Sequence, residues 1–191
     1  MHIVAKNKVV GEPPLAEGAL NLRIAGFNRQ NLIPIGDIVR AIDVLPGYHL
    51  QGLREIVYAP DWTPIQTARW HPGYPRILPM AEFVQRQRRI VFYDLGNHDL
   101  FHHVLYHEIG HFVFYLAISS QVKKKWVTEV FPCSECITPY ATLNASEDFA
   151  ETYAGYMRNA DTLKQLPEKY AFMRDYVFSG KPETLKERNQ G

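Results

Sequence analysis

Apolar residues recur at two different spacings along the chain, and each spacing predicts a different kind of element. Residues 35–45 place apolar side chains at helical spacing up to Pro46, which predicts a short amphipathic helix. Residues 53–59 and 89–94 are short runs rich in β-branched and aromatic side chains, and they predict two strands. Residues 60–79 carry six prolines or glycines, which predicts a loop or an irregular hairpin.

The second half of the chain contains longer segments in which apolar residues recur at helical spacing. Residues 100–119 are apolar nearly all round and predict a buried helix, for which Asp99 is a plausible N-cap. Two more helices are predicted over residues 146–158 and 162–178, with Pro167 interrupting or starting the last one. Few strands mixed with longer helices, without regular alternation of the two, predict an α+β fold.

The pattern also suggests how the chain is organised. Residues 1–30 combine weak apolar patterning with several glycines and prolines, and we expect an extended N-terminal arm there. Residues 31–180 then form one domain with its own core, which suits a chain of 191 residues. Residues 181–191 are polar and are expected to form a frayed tail.

The charge balance and the composition of the chain indicate which classes of partner and which compartment to expect. The chain has 21 Lys+Arg against 20 Asp+Glu, so no strong field attracts nucleic acid or anionic lipid, and neither is an expected partner. No stretch reaches the roughly 18 uncharged apolar residues of a membrane span, and the first residues lack a signal-peptide core. The chain has two cysteines, Cys133 and Cys136, and one close pair cannot form the disulfide framework that stabilises small secreted proteins. We expect two free thiols or one incidental disulfide. We therefore expect a cytoplasmic protein by default, although a removed signal peptide would leave the same pattern.

Candidate chemistry lies on the helix predicted over residues 100–119, in the run His107-Glu108-Ile109-Gly110-His111. Histidines four residues apart lie on one face of a helix, where both rings can bind one tetrahedral zinc ion. Glu108 is offset by one residue, so its carboxylate can serve as a general base for a water at the metal. Random placement of the histidines and glutamates gives about 0.02 such motifs in a chain of this length. The apolar context of the helix favours a metal site over an incidental pair.

Catalytic zinc needs a third protein ligand, and the acids further along the chain supply a candidate. Glu147 and Glu151 are four residues apart on a predicted helix, so Glu147 can bind the metal while Glu151 hydrogen-bonds a ligand imidazole. Asp148 is a weaker candidate ligand because no acid follows it at that spacing. In the alternative reading, Asn144 forms a capping box with Glu147, and Glu151 is solvated.

With these residues in place, the chain resembles the gluzincin metallopeptidases, in which a glutamate on a later helix completes a His-Glu-x-x-His site. Residues 140–152 are similar to the third-ligand region of the group that comprises the anthrax lethal factor catalytic domain and the Pro-Pro endopeptidases. In that group a tyrosine seven residues before the ligand glutamate donates to the oxyanion, and Tyr140 has this position here. The alternative for Tyr140 is a loop aromatic residue packed on the core. The cysteine pair is not part of the group's pattern. The positions that match are His107, Glu108, His111, Tyr140, Glu147 and Glu151.

The resemblance implies a zincin-like α+β domain with one zinc ion on His107, His111 and Glu147. It also implies a zinc-dependent endopeptidase that acts on a peptide or protein substrate, with Glu108 as base. Two alternatives stay open: a catalytically silent zinc-binding or regulatory module with the zincin fold, and a structural domain in which these residues are incidental. Cleavage specificity does not follow from the sequence, because loops of unknown geometry form the pockets.

Overall fold

The computed structural model describes residues 21–62, 64 and 79–179, together with the backbone of residues 3–4 and 8–9. These residues combine one sheet with five α-helices, so the predicted α+β class is confirmed. The chain divides into two compact units, Met1–Val104 and Leu105–Gly191.

The sheet belongs to the first unit and has six strands in the order β2-β1-β3-β4-β6-β5. Strand β3 is parallel to β4, and β4 is parallel to β6, whereas the other pairs are antiparallel. The predicted strands at residues 53–59 and 89–94 are confirmed as β4 and β6. The strands are β1 (Ile3–Val4), β2 (Lys8–Val9), β3 (Arg23–Ala25), β4 (Glu55–Tyr58), β5 (Ala81–Val84) and β6 (Arg89–Phe92).

Strand β5 was not predicted, because its run Ala-Glu-Phe-Val includes the acid Glu82, which is buried in the structure. It forms a hairpin with β6 through a turn in which Arg88 has φ of 52°. Three strands, β1 to β3, fall within the stretch expected to be an extended arm. The predicted loop at residues 60–79 falls mostly outside the described residues, and the predicted tail at residues 181–191 falls wholly outside them.

The core of the first unit follows from the register of the parallel strands. Ile24, Ile56 and Ile90 are paired across β3, β4 and β6, and each is fully buried. Helix α1 (Ile35–Asp43) confirms the helix predicted over residues 35–45. A cluster of aromatic rings with centroids 4.7–6.1 Å apart completes this core: Phe27, Phe92 and Phe101.

Helix α2 (His98–Phe112) carries the histidine motif and continues as a π-helical segment, Val113–Ala117. The helix predicted over residues 100–119 is therefore confirmed, but the predicted cap is wrong. The side-chain oxygen of Asn97 accepts from the Leu100 amide at 2.9 Å, so Asn97 caps the helix and Asp99 lies in its first turn.

Three further helices belong to the second unit: α3 (Ser120–Lys125), α4 (Ala145–Leu163) and α5 (Pro167–Phe172). Helix α4 extends the helix predicted over residues 146–158, with a non-helical residue at Asn159. The helix predicted over residues 162–178 is split, because Pro167 starts a new helix in the position where its missing N–H costs nothing. Helix α3 was not predicted, since its six residues include three lysines and no buried side chain.

The core of the second unit forms around Trp126, which is fully buried. Its ring lies 5.1 Å from that of Phe149 on α4 and 5.0 Å from that of Phe172 on α5. The indole N–H donates to the carbonyl oxygen of Ala145 at 2.9 Å, so the core also holds the start of α4 in place.

The hydropathy of the helices was compared with that of membrane-spanning segments, for the described residues of both units. None of their helices combines the length and the apolar character that crossing a bilayer requires.

Candidate metal centre

Three side chains of the second unit converge on one point. The Nε2 atom of His111 lies 3.1 Å from Oε2 of Glu147, and Nε2 of His107 lies 3.2 Å from the same oxygen. Among the described residues, these three form the group whose donor atoms lie close enough, within 4.8 Å of one another, to hold a metal ion. Two imidazoles and a carboxylate form the donor set that catalytic zinc uses.

Each histidine has a second partner on the side of its ring that faces away from Glu147. The Nδ1 atom of His107 lies 2.7 Å from Oε1 of the buried Glu151. The Nδ1 atom of His111 lies 3.0 Å from Oγ of Ser146. These contacts leave both Nε2 atoms directed at Glu147, which is the orientation that two ligands of one ion require.

The first turn of α4 positions the carboxylate. Asn144 is the N-cap, and its side-chain oxygen accepts from the amides of Ser146 at 2.9 Å and Glu147 at 3.0 Å. The asparagine half of the capping box in the alternative reading is therefore present, while the Glu147 carboxylate faces the two histidines. The other part of that reading is wrong, because Glu151 is buried and contacts His107 and is not solvated.

Close packing of α2 on α4 brings the two halves of the centre together. A Cβ atom added to Gly110, which lies between the two histidines, would stand 2.9 Å from Cα of Ala150 and 3.1 Å from Cβ of Tyr153. Both Ala150 and Tyr153 are fully buried on α4. Only glycine at position 110 permits this approach between the motif helix and the helix that carries Glu147.

We therefore expect Gly110→Ala to destabilise the protein by about 1–3 kcal/mol through overpacking, despite the better helix propensity of alanine. Chemical denaturation measures this change in the free energy of unfolding. Gly155→Ala on α4 is the matched control, because its added Cβ would stand 2.6 Å from Cδ1 of Ile137, the far end of a side chain that can rotate away, and not from backbone. Equal effects of the two substitutions would contradict close packing at Gly110.

Tyr140 lies beside the same centre. It begins a 3₁₀ turn, Tyr140–Leu143, directly before the cap of α4, and the buried Ala141 anchors that turn. The ring of Tyr140 is half exposed, and its centroid lies 5.8 Å from that of His107. The tyrosine therefore lies at the exposed side of the site. The alternative, in which its ring is packed on the core, does not fit this exposure.

Glu108 follows His107 on α2 and is buried, with 6% of its surface exposed. Its negative charge is near enough to His107 to help raise the pKa of that imidazole. It is not one of the three donors of the converging group.

The electrostatics of the centre favour a bound cation. Burial alone would lower the pKa of His107, but hydrogen bonds to Glu147 and Glu151 raise it to about 10. Burial acts to raise the pKa of Glu147, and hydrogen bonds with His107 and His111 nevertheless hold it well below its ordinary value. Without a metal, His107 is therefore protonated and lies between the carboxylates of Glu147 and Glu151. A divalent cation can replace this positive charge.

Because of this proton, we expect zinc binding at the centre to depend on pH. Zinc binds the neutral imidazole, and the pKa of about 10 means that His107 is protonated near neutral pH, so binding must release that proton. We expect about one proton per zinc ion from this site, and a zinc affinity that rises with pH by up to about tenfold per unit. Calorimetry at neutral pH in buffers of different ionisation enthalpy measures the release. Glu151→Gln should release less, and equal release by both proteins would contradict the assignment.

Two other candidates lie outside the converging group. Asp148 is fully buried and forms an ion pair with the buried Lys169, so it does not act as the third ligand. Cys133 and Cys136 are free thiols, and Cys133 is exposed. Burial raises the pKa of the Cys136 thiol, and the negative charge of Asp148 raises it further.

The structure thus brings together the six residues that the sequence singled out, and it adds Ser146. Serine in a first helical turn is common, so its identity alone carried no signal.

Comparison of the chain with protein-family models, with curated proteins and with solved structures finds no match.

Proposed function

We propose that the protein is a zinc-dependent endopeptidase with a zincin-like fold of gluzincin type. The observation that carries the proposal is the convergence of His107, His111 and Glu147, with the buried Glu108 beside them. The donor set fits zinc, and the separations of 3.1 and 3.2 Å suit two pairs of neighbouring ligands of one small ion. The half-exposed Tyr140 at this centre supports hydrolysis over metal storage.

His107, His111 and Glu147 would hold the zinc ion, which when bound would act as a Lewis acid on a peptide carbonyl and would lower the pKa of water to ~7. The Glu108 carboxylate takes the proton from the attacking water and then delivers it to the leaving amine nitrogen. The Tyr140 hydroxyl donates to the carbonyl oxygen as negative charge develops there. Glu151 accepts from His107 and keeps that ring oriented. The peptide bond breaks, and one water is consumed.

Cleavage mapping of a diverse peptide library by mass spectrometry tests this function. We expect cuts from the zinc-loaded protein, loss of those cuts on chelation and their return when zinc is added back. The matched control is Glu108→Gln purified in the same way, because a contaminating peptidase would give the same cuts in both preparations.

The outcome also separates the proposal from its alternative. Stoichiometric zinc without cuts from the wild-type protein would overturn the peptidase and favour the silent zinc-binding module. A folded protein that takes up no zinc would overturn both and favour a structural domain.

A further inference from the structure

We propose that Ser146 is a positioning residue for His111, and that its hydroxyl oxygen, by accepting from Nδ1–H, stabilises the ring tautomer that can bind a metal ion. The inference rests on the metal centre of the proposed function but not on hydrolysis. It assigns a role to a side chain that the sequence pattern alone does not single out.

Whether His111 can bind a metal ion through Nε2 depends on which ring nitrogen carries the proton. A neutral histidine carries one N–H, so Nε2 can bind a metal only when the proton is on Nδ1. That Nδ1–H needs an acceptor in a half-buried place, and the acceptor in contact is Oγ of Ser146 at 3.0 Å. His111 has Glu147 at its Nε2 atom and Ser146 at its Nδ1 atom, so the two contacts define the two sides of the ring.

The hydroxyl is not needed to cap the helix. Asn144 accepts from the amides of both Ser146 and Glu147, so the first turn of α4 is satisfied by the asparagine side chain. Neighbouring residues of this turn therefore supply a ligand, Glu147, and the partner of another ligand, Ser146. Removing the hydroxyl should leave the capped helix and its carboxylate in place.

The two histidines are held in different ways. The Glu151 carboxylate can only accept when it is ionised, so it fixes the proton of His107 on Nδ1. A serine hydroxyl can donate or accept, so Ser146 permits two arrangements of His111. When the hydroxyl donates to Nδ1, the ring proton is on Nε2 and points at Glu147; when the hydroxyl accepts, Nε2 is free to bind a metal. His111 is thus the ligand whose tautomer responds to metal binding.

The test compares Ser146→Ala with Ser146→Thr, which restores a hydroxyl, and uses Ser120→Ala at an exposed helical position as the control. Zinc affinity is measured by competition with a chelating dye, and the site geometry by the visible absorption of the Co²⁺-loaded proteins. We expect Ser146→Ala to lower zinc affinity by about tenfold and to change the Co²⁺ spectrum. Ser146→Thr should keep both near the wild-type values, and so should Ser120→Ala.

Unchanged affinity and spectrum in Ser146→Ala would overturn the proposal, and so would equal losses in the alanine and threonine variants. Zinc binding that depends on Ser146 in a protein that cleaves no peptide would uphold this role and overturn the proposed function. A wild-type protein that binds neither Zn²⁺ nor Co²⁺ would overturn both.

Discussion

Glu108→Gln should lower kcat for peptide hydrolysis by about 10²–10⁴-fold, the range that a general base contributes. The amide keeps the shape of the side chain but cannot accept the proton of the attacking water. Because Glu108 is not one of the converging donors, zinc content should remain stoichiometric. Kinetics on a peptide found to be cut, together with metal analysis of the same sample, measure both quantities.

The control for this substitution is Glu129→Gln, which makes the same chemical change at an exposed glutamate paired with Lys125. Its kcat should equal that of the wild-type protein. A Glu108→Gln variant that holds zinc and retains wild-type kcat would show that another group moves the proton.

Glu147→Gln should give the largest loss of metal affinity. The carboxylate oxygen of Glu147 faces both His107 and His111, so its replacement by an amide leaves two imidazole ligands and removes the negative charge of the donor set. Loss of a residue that hydrogen-bonds a metal ligand typically weakens metal binding by roughly 10–100-fold. Glu147 is itself a proposed ligand, so we expect the zinc dissociation constant to rise by more than this. Titration against a competing chelator measures this change.

Glu168→Gln offers a matched control, because Glu168 also lies in the first turn of a helix, α5, and is exposed. General effects of an acid at a helix start would appear equally in both variants. If both variants bound zinc as the wild-type protein does, Glu147 would not be a ligand.

The site was more predictable than the fold around it, and helix geometry explains why. The spacings of His107 from His111 and of Glu147 from Glu151 fix which side chains share a helix face. Two such faces leave few ways to satisfy four polar groups, and the structure has them in contact. Ser146 was missed because its role depends on how one helix is rotated against the other, which no spacing along the chain encodes.

The sheet shows the opposite case. Strand β3 has only three residues, and β5 includes the acid Glu82 at a buried position, so neither shows the apolar run that predicts a strand. Their pairing depends on partners distant in sequence, such as Ile24 with Ile56. The buried pair of Asp148 and Lys169 was likewise not predictable, since an acid and a lysine in amphipathic segments normally face solvent.

The central claim is that one metal ion is held by two imidazoles and a carboxylate, and X-ray absorption at the zinc edge of the zinc-loaded protein tests it most directly. The account predicts nitrogen and oxygen neighbours at about 2.0–2.2 Å, with multiple scattering from the rings of His107 and His111 and no sulfur. A sulfur shell at about 2.3 Å would place the ion on Cys133 and Cys136 and would contradict the assignment of the centre.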